Sequence, residues 1–147
     1  MSTVMTVAGP VTAQHLGFCQ CHEHLAIRRG VSYEVNPALL IDDEAKSTAE
    51  ALRLVLHGGS TVVDAQPGGC GRMEQVLLQI SRKTGLHIIA STGFHKLCFY
   101  PERHWLYSKD RDELAEIFTN ELTRGMYTDI DRTFHPNWGP SRAGIIK

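Results

Sequence analysis

Gln20-Cys21-His22-Glu23-His24-Leu25 closes a short segment, Gly17 to His24, that reads as a β-strand. Side chains alternate along a strand, so His22 and His24 are expected on one face with Gln20, and Cys19, Cys21 and Glu23 on the other. Two imidazoles one residue apart on a single face can grip one metal ion. A bare His-x-His also occurs as ordinary surface or core histidines, so the rest of the chain decides its weight. A mixed Cys/His zinc site is disfavoured by the same alternation, which turns Cys19 and Cys21 away from the rings.

Upstream of that strand, Thr3 to Val11 is rich in β-forming residues and is interrupted by Gly9-Pro10, which predicts a small hairpin. Downstream, a loop is expected through Pro37. Asp42 is a good residue to open a helix, with Glu44 adding negative charge to the first turn. Ala45, Ala49, Leu52, Val55 and Leu56 then recur at helical spacing, and Gly58-Gly59 ends the run. Thr61-Val62-Val63-Asp64-Ala65 reads as a second strand. The glycine-rich turn Gln66 to Gly71 leads into a helix with Met73, Val76, Leu77 and Ile80 on one face, ending at Gly85. His87 to Ser91 is a third strand, followed by a long aromatic-rich loop, Gly93 to Ser108. Asp110 and Glu113 have capping-box spacing, and Leu114, Ile117, Phe118 and Leu122 form the stripe of a third helix that Gly125 ends. Met126 to Ser141 is irregular, and Ala143 to Lys147 is a fourth strand.

Strands alternating with helices make a parallel sheet with crossover helices. Two architectures satisfy this order, an open doubly wound sheet and a (β/α)8 barrel. Both gather function at the carboxyl ends of the strands. His22, His24, Gln66, Gly93 and Lys147 all fall at such ends, which is the structural reason to group them.

Bulk properties narrow the classes further. With 147 residues, 42% of them apolar and 21% charged, the chain is expected to form one ordinary globular domain. A formal net charge of −1 without clustered Lys and Arg argues against a nucleic-acid partner. No apolar run approaches the ~18 residues of a membrane span, so no membrane partner is expected. Met1 to Pro10 lacks the basic start and apolar core of a signal peptide, so a cytoplasmic protein is expected. Cys19, Cys21, Cys70 and Cys98 are then expected as reduced thiols.

Two further stretches have chemical readings. Pro67-Gly68-Gly69-Cys70-Gly71 lies between a strand and a helix, the context of a phosphate-binding loop. Its fingerprint is incomplete, because Glu74 stands where the third glycine belongs, and a tight βα turn is the simpler reading. No Gly-x-Ser-x-Gly elbow is present for a serine hydrolase. Lys147 ends the apolar run Ala143 to Ile146, which is expected to be buried. Burial disfavours the charged ammonium. A neutral amine can react with carbon dioxide to give a carbamate, a carboxylate-like ligand able to bridge two metal ions. On spacing alone, a lysine in that position is more simply solvated.

Taken in order, these stretches resemble the phosphotriesterase family of the amidohydrolase superfamily. The resemblance rests on Thr6 to Pro10, Leu16-Gly17 through His22-Glu23-His24-Leu25, and Val63-Asp64 before Gly71-Arg72. It continues in Ala90-Ser91-Thr92-Gly93-Phe94 and Arg142 to Lys147. It implies a (β/α)8 TIM barrel with two divalent metal ions, usually zinc, at the carboxyl ends of the strands. His22 and His24 would bind the more buried ion. Lys147, as N6-carboxylysine formed with carbon dioxide, would bridge both and so take part in catalysis. A bridging water or hydroxide would be the nucleophile. Family members carry two more histidines and an aspartate on four further strands, and a complete barrel needs about 250 residues. Residues 1–147 are therefore expected to be strands one to four, the N-terminal half of a single barrel domain and a piece of a longer protein.

The loop after the third strand shapes the pocket in this family. His95, Lys96 and Tyr100 are its expected substrate-binding residues, with Lys96 suited to an anionic group. The Phe94-His95-Lys96 loop looks like that of the phosphorylated-sugar lactonases. The leading expectation is a hydrolase that opens the lactone ring of a small phosphorylated sugar. Hydrolysis of organophosphate triesters is the alternative of the same class. A non-catalytic half-barrel that binds a partner chain is the alternative of another class. His135-Pro136-Asn137-Trp138 is expected on the opposite barrel face, as packing or an oligomer contact in a homodimer. His15 and His57 are expected to be structural.

Overall fold

The chain opens with two antiparallel strands, β1 (Thr3–Thr6) and β2 (Gly9–Thr12). Their turn falls at Val7-Ala8 rather than at Gly9-Pro10, and the Thr6 hydroxyl closes it by donating to the Gly9 carbonyl at 2.7 Å. Pro10 sits inside β2, a position it tolerates because a two-stranded ribbon has free edges.

The computed structural model describes all residues from Met1 to Lys147. The first strand of the main sheet is β3 (Phe18–Glu23), so His24 lies just beyond its end. The segment expected to be a loop through Pro37 contains one short helix, α1 (Val31–Val35). Asp43, not Asp42, caps the next helix, α2 (Glu44–Leu56), by accepting the Lys46 amide at 3.1 Å. Gly58, at φ 90°, then turns the chain into β4 (Gly59–Asp64). Helix α3 (Glu74–Thr84) stops at Gly85 in the left-handed conformation, and β5 (His87–Thr92) follows. Helix α4 (Arg111–Thr123) begins with the expected capping box of Asp110 and Glu113. The last strand, β6 (Ile145–Ile146), is shorter than expected.

The sheet order is β3-β4-β5-β6, and every pair is parallel. Helices and irregular crossovers link the successive strands, which is the first half of a (β/α)8 barrel. The two central strands are largely buried, whereas β3 and β6 form the two sheet edges. Edge position explains why Ile146, expected to be buried, is 59% exposed: no strand covers its outer side. No helix is long and apolar enough to cross a membrane.

Two apolar clusters hold these layers. One packs Val62, Ile88 and Ala90 of the sheet against Ala51, Leu77 and Ile80 of the helices. The other lies under the aromatic loop, where Tyr100, Trp105 and Leu106 meet Ile117, Tyr127 and Ile130. The Trp105 indole donates to the Ile130 carbonyl at 2.5 Å, which ties the loop to the segment after α4.

His104 caps the turn in that loop. Its Nδ1 accepts the Leu106 amide at 3.2 Å, and the residue is 3% exposed. Burial holds its pKa below the usual value. The unfolded chain therefore binds a proton that the folded chain resists, and stability falls as pH drops below about 6.5. In His104→Asn, whose amide oxygen can take the Nδ1 role, that part of the acid slope is expected to vanish in urea titrations at a series of pH values.

Candidate metal centre

The end of β3 does not follow simple alternation. Gln20 pairs with Val62 and Glu23 with Asp64, so three residue steps on β3 face two on β4. This bulge brings Gln20 and Glu23 to the same side, where their side chains hydrogen-bond at 3.0 Å. A bulge re-aims the side chains beyond it. The expected pairing of the two imidazoles survives it: the His22 and His24 rings lie 5.6 Å apart, edge to face.

His95 joins them from the loop after β5. Its ring stacks on His24 at 6.3 Å and 16°, and rests edge-on against Phe99 at 4.3 Å. Lys147 approaches from β6. Its residue is exposed as a whole, but its ammonium turns back over the sheet and donates to the Ala65 carbonyl at 2.6 Å. The Lys147 amide donates to Thr92 at 2.8 Å, and its backbone lies directly against Gly93. A side chain at Gly93 would collide there, and its φ of 99° is one that glycine adopts freely.

The electrostatics follow from this crowding. Burial, then the Lys147 and His22 charges, hold the His24 pKa below the ordinary histidine value. Burial and the same lysine lower His95 further, to about 4, so its ring is neutral at pH 7. Burial also lowers the Lys147 pKa, which raises the share of neutral amine that carbamate formation needs.

Behind the rings, sequence reasoning missed the residue that anchors them. Asp64 is fully buried and accepts the Leu25 amide at 2.7 Å and the Gln66 amide at 3.1 Å. It thereby fixes the backbone immediately after His24 to the end of β4. Burial lifts its pKa to about 6 against the pull of those two amides. A lone carboxylate ending the apolar strand Thr61-Val62-Val63 was the available signal.

A second missed feature is the buried pair of Arg72 and Glu121. Arg72 Nη1 donates to Glu121 at 3.0 Å, and Nη2 makes the parallel bond to the other oxygen. Arg72 also donates to the Ser91 and Tyr127 carbonyls, at 3.1 Å each. The pair thus ties the turn after β4 to the end of β5 and to α4. Glu121 sits four residues after Ile117 and seven after Leu114, on the apolar stripe of its helix. A carboxylate in that register signals an internal partner.

The other two expected substrate residues, Lys96 and Tyr100, are both hydrogen-bonded to His95. Lys96 is exposed, with its amide bonded to the His95 ring at 2.7 Å. Tyr100 is buried, and its hydroxyl accepts the His95 amide at 2.9 Å, so it supports the loop from below. Burial pushes its pKa well up. Among the remaining histidines, His15 bonds to the Thr12 hydroxyl and His57 to the Arg53 carbonyl, away from the rings. The Trp138 ring packs on Tyr127 and is 43% exposed.

These residues fit part of a metal site. His24 Nδ1 is buried and has no hydrogen-bond partner, an uncommon state for a polar atom. Two imidazoles supply two of the four donors that zinc takes. No three His, Cys, Asp or Glu side chains of this chain are grouped so that they could hold a metal ion by themselves.

A sequence model of the phosphotriesterase family matches residues 2–134. The chain belongs to the phosphotriesterase family. It is 34% identical over 147 residues to a phospho-furanose lactonase of Mycoplasmopsis agalactiae, covering 98% of this chain and 42% of the relative. It is 24% identical to an aryldialkylphosphatase of Saccharolobus solfataricus, covering 93% of this chain and 44% of that one. Among solved structures, an amidohydrolase from Mycoplasma synoviae superposes with a TM-score of 0.90 at 29% identity, covering 98% of this chain and 42% of that one. The chain therefore spans less than half the length of these relatives.

Proposed function

We propose that residues 1–147 form the first half of a single metal-dependent hydrolase domain that opens the lactone ring of a small phosphorylated sugar. The convergence of His22, His24, His95 and Lys147 at the carboxyl ends of three parallel strands carries this reading. The names of the phospho-furanose lactonases, at 31 and 34% identity, support the substrate class. His22 and His24 would hold the first ion. Lys147, once its neutral amine has added to carbon dioxide and released a proton, would present two oxygens to a pair of ions, zinc in the first instance. When bound, such ions would polarise the lactone carbonyl and lower the pKa of water.

This chain's own residues do the rest. Asp64 holds the His24 backbone in place. His95 presents a neutral ring to the substrate beside His24. Phe99 walls the site on the far side of His95. Tyr100 fixes the His95 backbone and reaches the substrate only through it. Four free thiols suit a reducing compartment, and the reading includes a cytoplasmic location. The exposed Trp138 face remains the candidate contact for a homodimer.

The test is turnover of a five-membered sugar-phosphate lactone against a paraoxon-like triester, with and without a chelator. Faster lactone opening that chelation abolishes and zinc restores is the expected result. Preference for the triester would replace the lactonase reading by the phosphotriesterase one. Absence of metal-dependent turnover of either would leave a half-barrel that binds a partner chain.

A further inference from the structure

Beside the histidine cluster lies a cavity of about 620 Å³, within the range of small-molecule sites. The glycine turn at Gly69 to Gly71 and the Phe99 ring form part of its wall, and Arg28, Arg29 and Arg132 line it. It is close to the candidate centre: Phe99 touches His95, and His95 stacks on His24.

Three arginines and three carboxylates line this cavity, so its formal charge is zero, but the ion pairs leave two of the arginines out. Arg28 is engaged, with Nη1 3.1 Å from Asp129 and Nε 3.5 Å from Asp131. Asp131 also accepts the Gly71 amide at 2.7 Å. Both aspartates therefore share one arginine. Arg29 and Arg132 have no carboxylate at salt-bridge distance; the ion pairs in this region belong to Arg28. Glu34 has no arginine or lysine at that distance either, so the two unpaired guanidinium groups are left to bind a ligand by geometry rather than by net charge. The Arg29 guanidinium is also held in orientation, stacked 4.0 Å over the Tyr33 ring. An oriented, planar fork of donors matches the oxygens of a phosphoryl group better than a lysine does.

We propose that this cavity is an anion subsite in which Arg29 and Arg132 hold the phosphoryl group of a small phosphorylated substrate. The subsite rests on the lactonase reading for what the rest of that substrate is, and on the cavity alone for binding the phosphoryl group. It moves the role given to Lys96 onto two arginines of a cavity that shares the Phe99 ring with His95.

Titration of inorganic phosphate into the full chain in excess chelator tests it, since no metal ion can then carry the binding. Saturable binding is expected, weakened roughly tenfold or more in Arg29→Ala and in Arg132→Ala. Both side chains are on exposed residues, so the fold should be kept, and unchanged circular dichroism checks this. Arg29→Lys, which keeps the charge and loses the planar fork, should retain part of the affinity. Arg124→Ala, which lies over Trp138, should bind as the parent does. No saturable binding, or parental affinity in both arginine variants, overturns the subsite; so does loss in His22→Ala with the arginine variants unaffected. Phosphate binding without lactone turnover would instead count against the lactonase reading alone.

Discussion

Glu121→Ala is expected to lower the stability of the protein by about 3–5 kcal/mol, because it strands a buried guanidinium. The Arg72 and Glu121 side chains are 1% and 3% exposed, so water cannot take over the lost contacts. The cost is not the Coulomb energy of the pair, since desolvation offsets much of that. It is the cost of a buried charge that loses its bidentate partner and keeps only Glu74, 4.0 Å from its Nε, as a counter-charge. Arg72→Met with Glu121→Met removes both charges and should be less damaging than the sum of the single changes. It should still not be neutral, because the buried Glu74 carboxylate loses the guanidinium 4.0 Å away. The Ser91 and Tyr127 carbonyls lose their Arg72 donor, and the Tyr127 amide loses Glu121, its acceptor at 2.9 Å. Each orphaned group costs on the order of 1 kcal/mol. Urea unfolding of the three variants measures these terms. A loss of less than about 1 kcal/mol in Glu121→Ala would mean that water reaches Arg72 and the pair is not sealed.

The parts of this structure that were legible in the sequence are those governed by local periodicity. The capping box at Asp110, the glycine stop at Gly85 and the strand of Thr61 to Asp64 follow from spacing and turn chemistry. The pairing of His22 with His24 was legible for the same reason. What was not legible depends on contacts distant in sequence. Alternation along β3 misplaced Glu23, because the bulge is a property of how β3 and β4 align. The exposure of Ile146 was not legible, because an apolar run does not say whether a neighbouring strand covers it. Asp64 and Leu25 are 39 residues apart, and Arg72 and Glu121 are 49 apart. No local pattern pairs them, although each acid stood out by interrupting an apolar stretch. His95 was placed in the substrate loop from a resemblance, and only the fold shows its ring stacked on His24.

His24→Ala and Asp64→Ala should both cripple hydrolysis, and the manner of failure separates a ligand from the residue that positions it. His24 carries a buried nitrogen without a partner, just beyond the end of β3 and beside the His95 ring of the loop after β5. Its removal takes away one of two imidazoles, and zinc affinity and lactone turnover should each fall by more than about 100-fold, beyond what loss of an outer contact costs. Added zinc should not restore the rate. Asp64 sits one layer behind. Its removal frees the Leu25 and Gln66 amides, loosens the backbone that aims His24, and should cost about 10–100-fold. Because both imidazoles remain, excess zinc should recover much of that loss. Zinc titrations followed by turnover distinguish the two patterns. Full zinc affinity and turnover in His24→Ala would remove His24 from the metal site, and the hydrolase reading built on it would fall. Failure of excess zinc to recover Asp64→Ala would show that this carboxylate reaches the substrate or the metal itself, and the order of the two layers would have to be reversed.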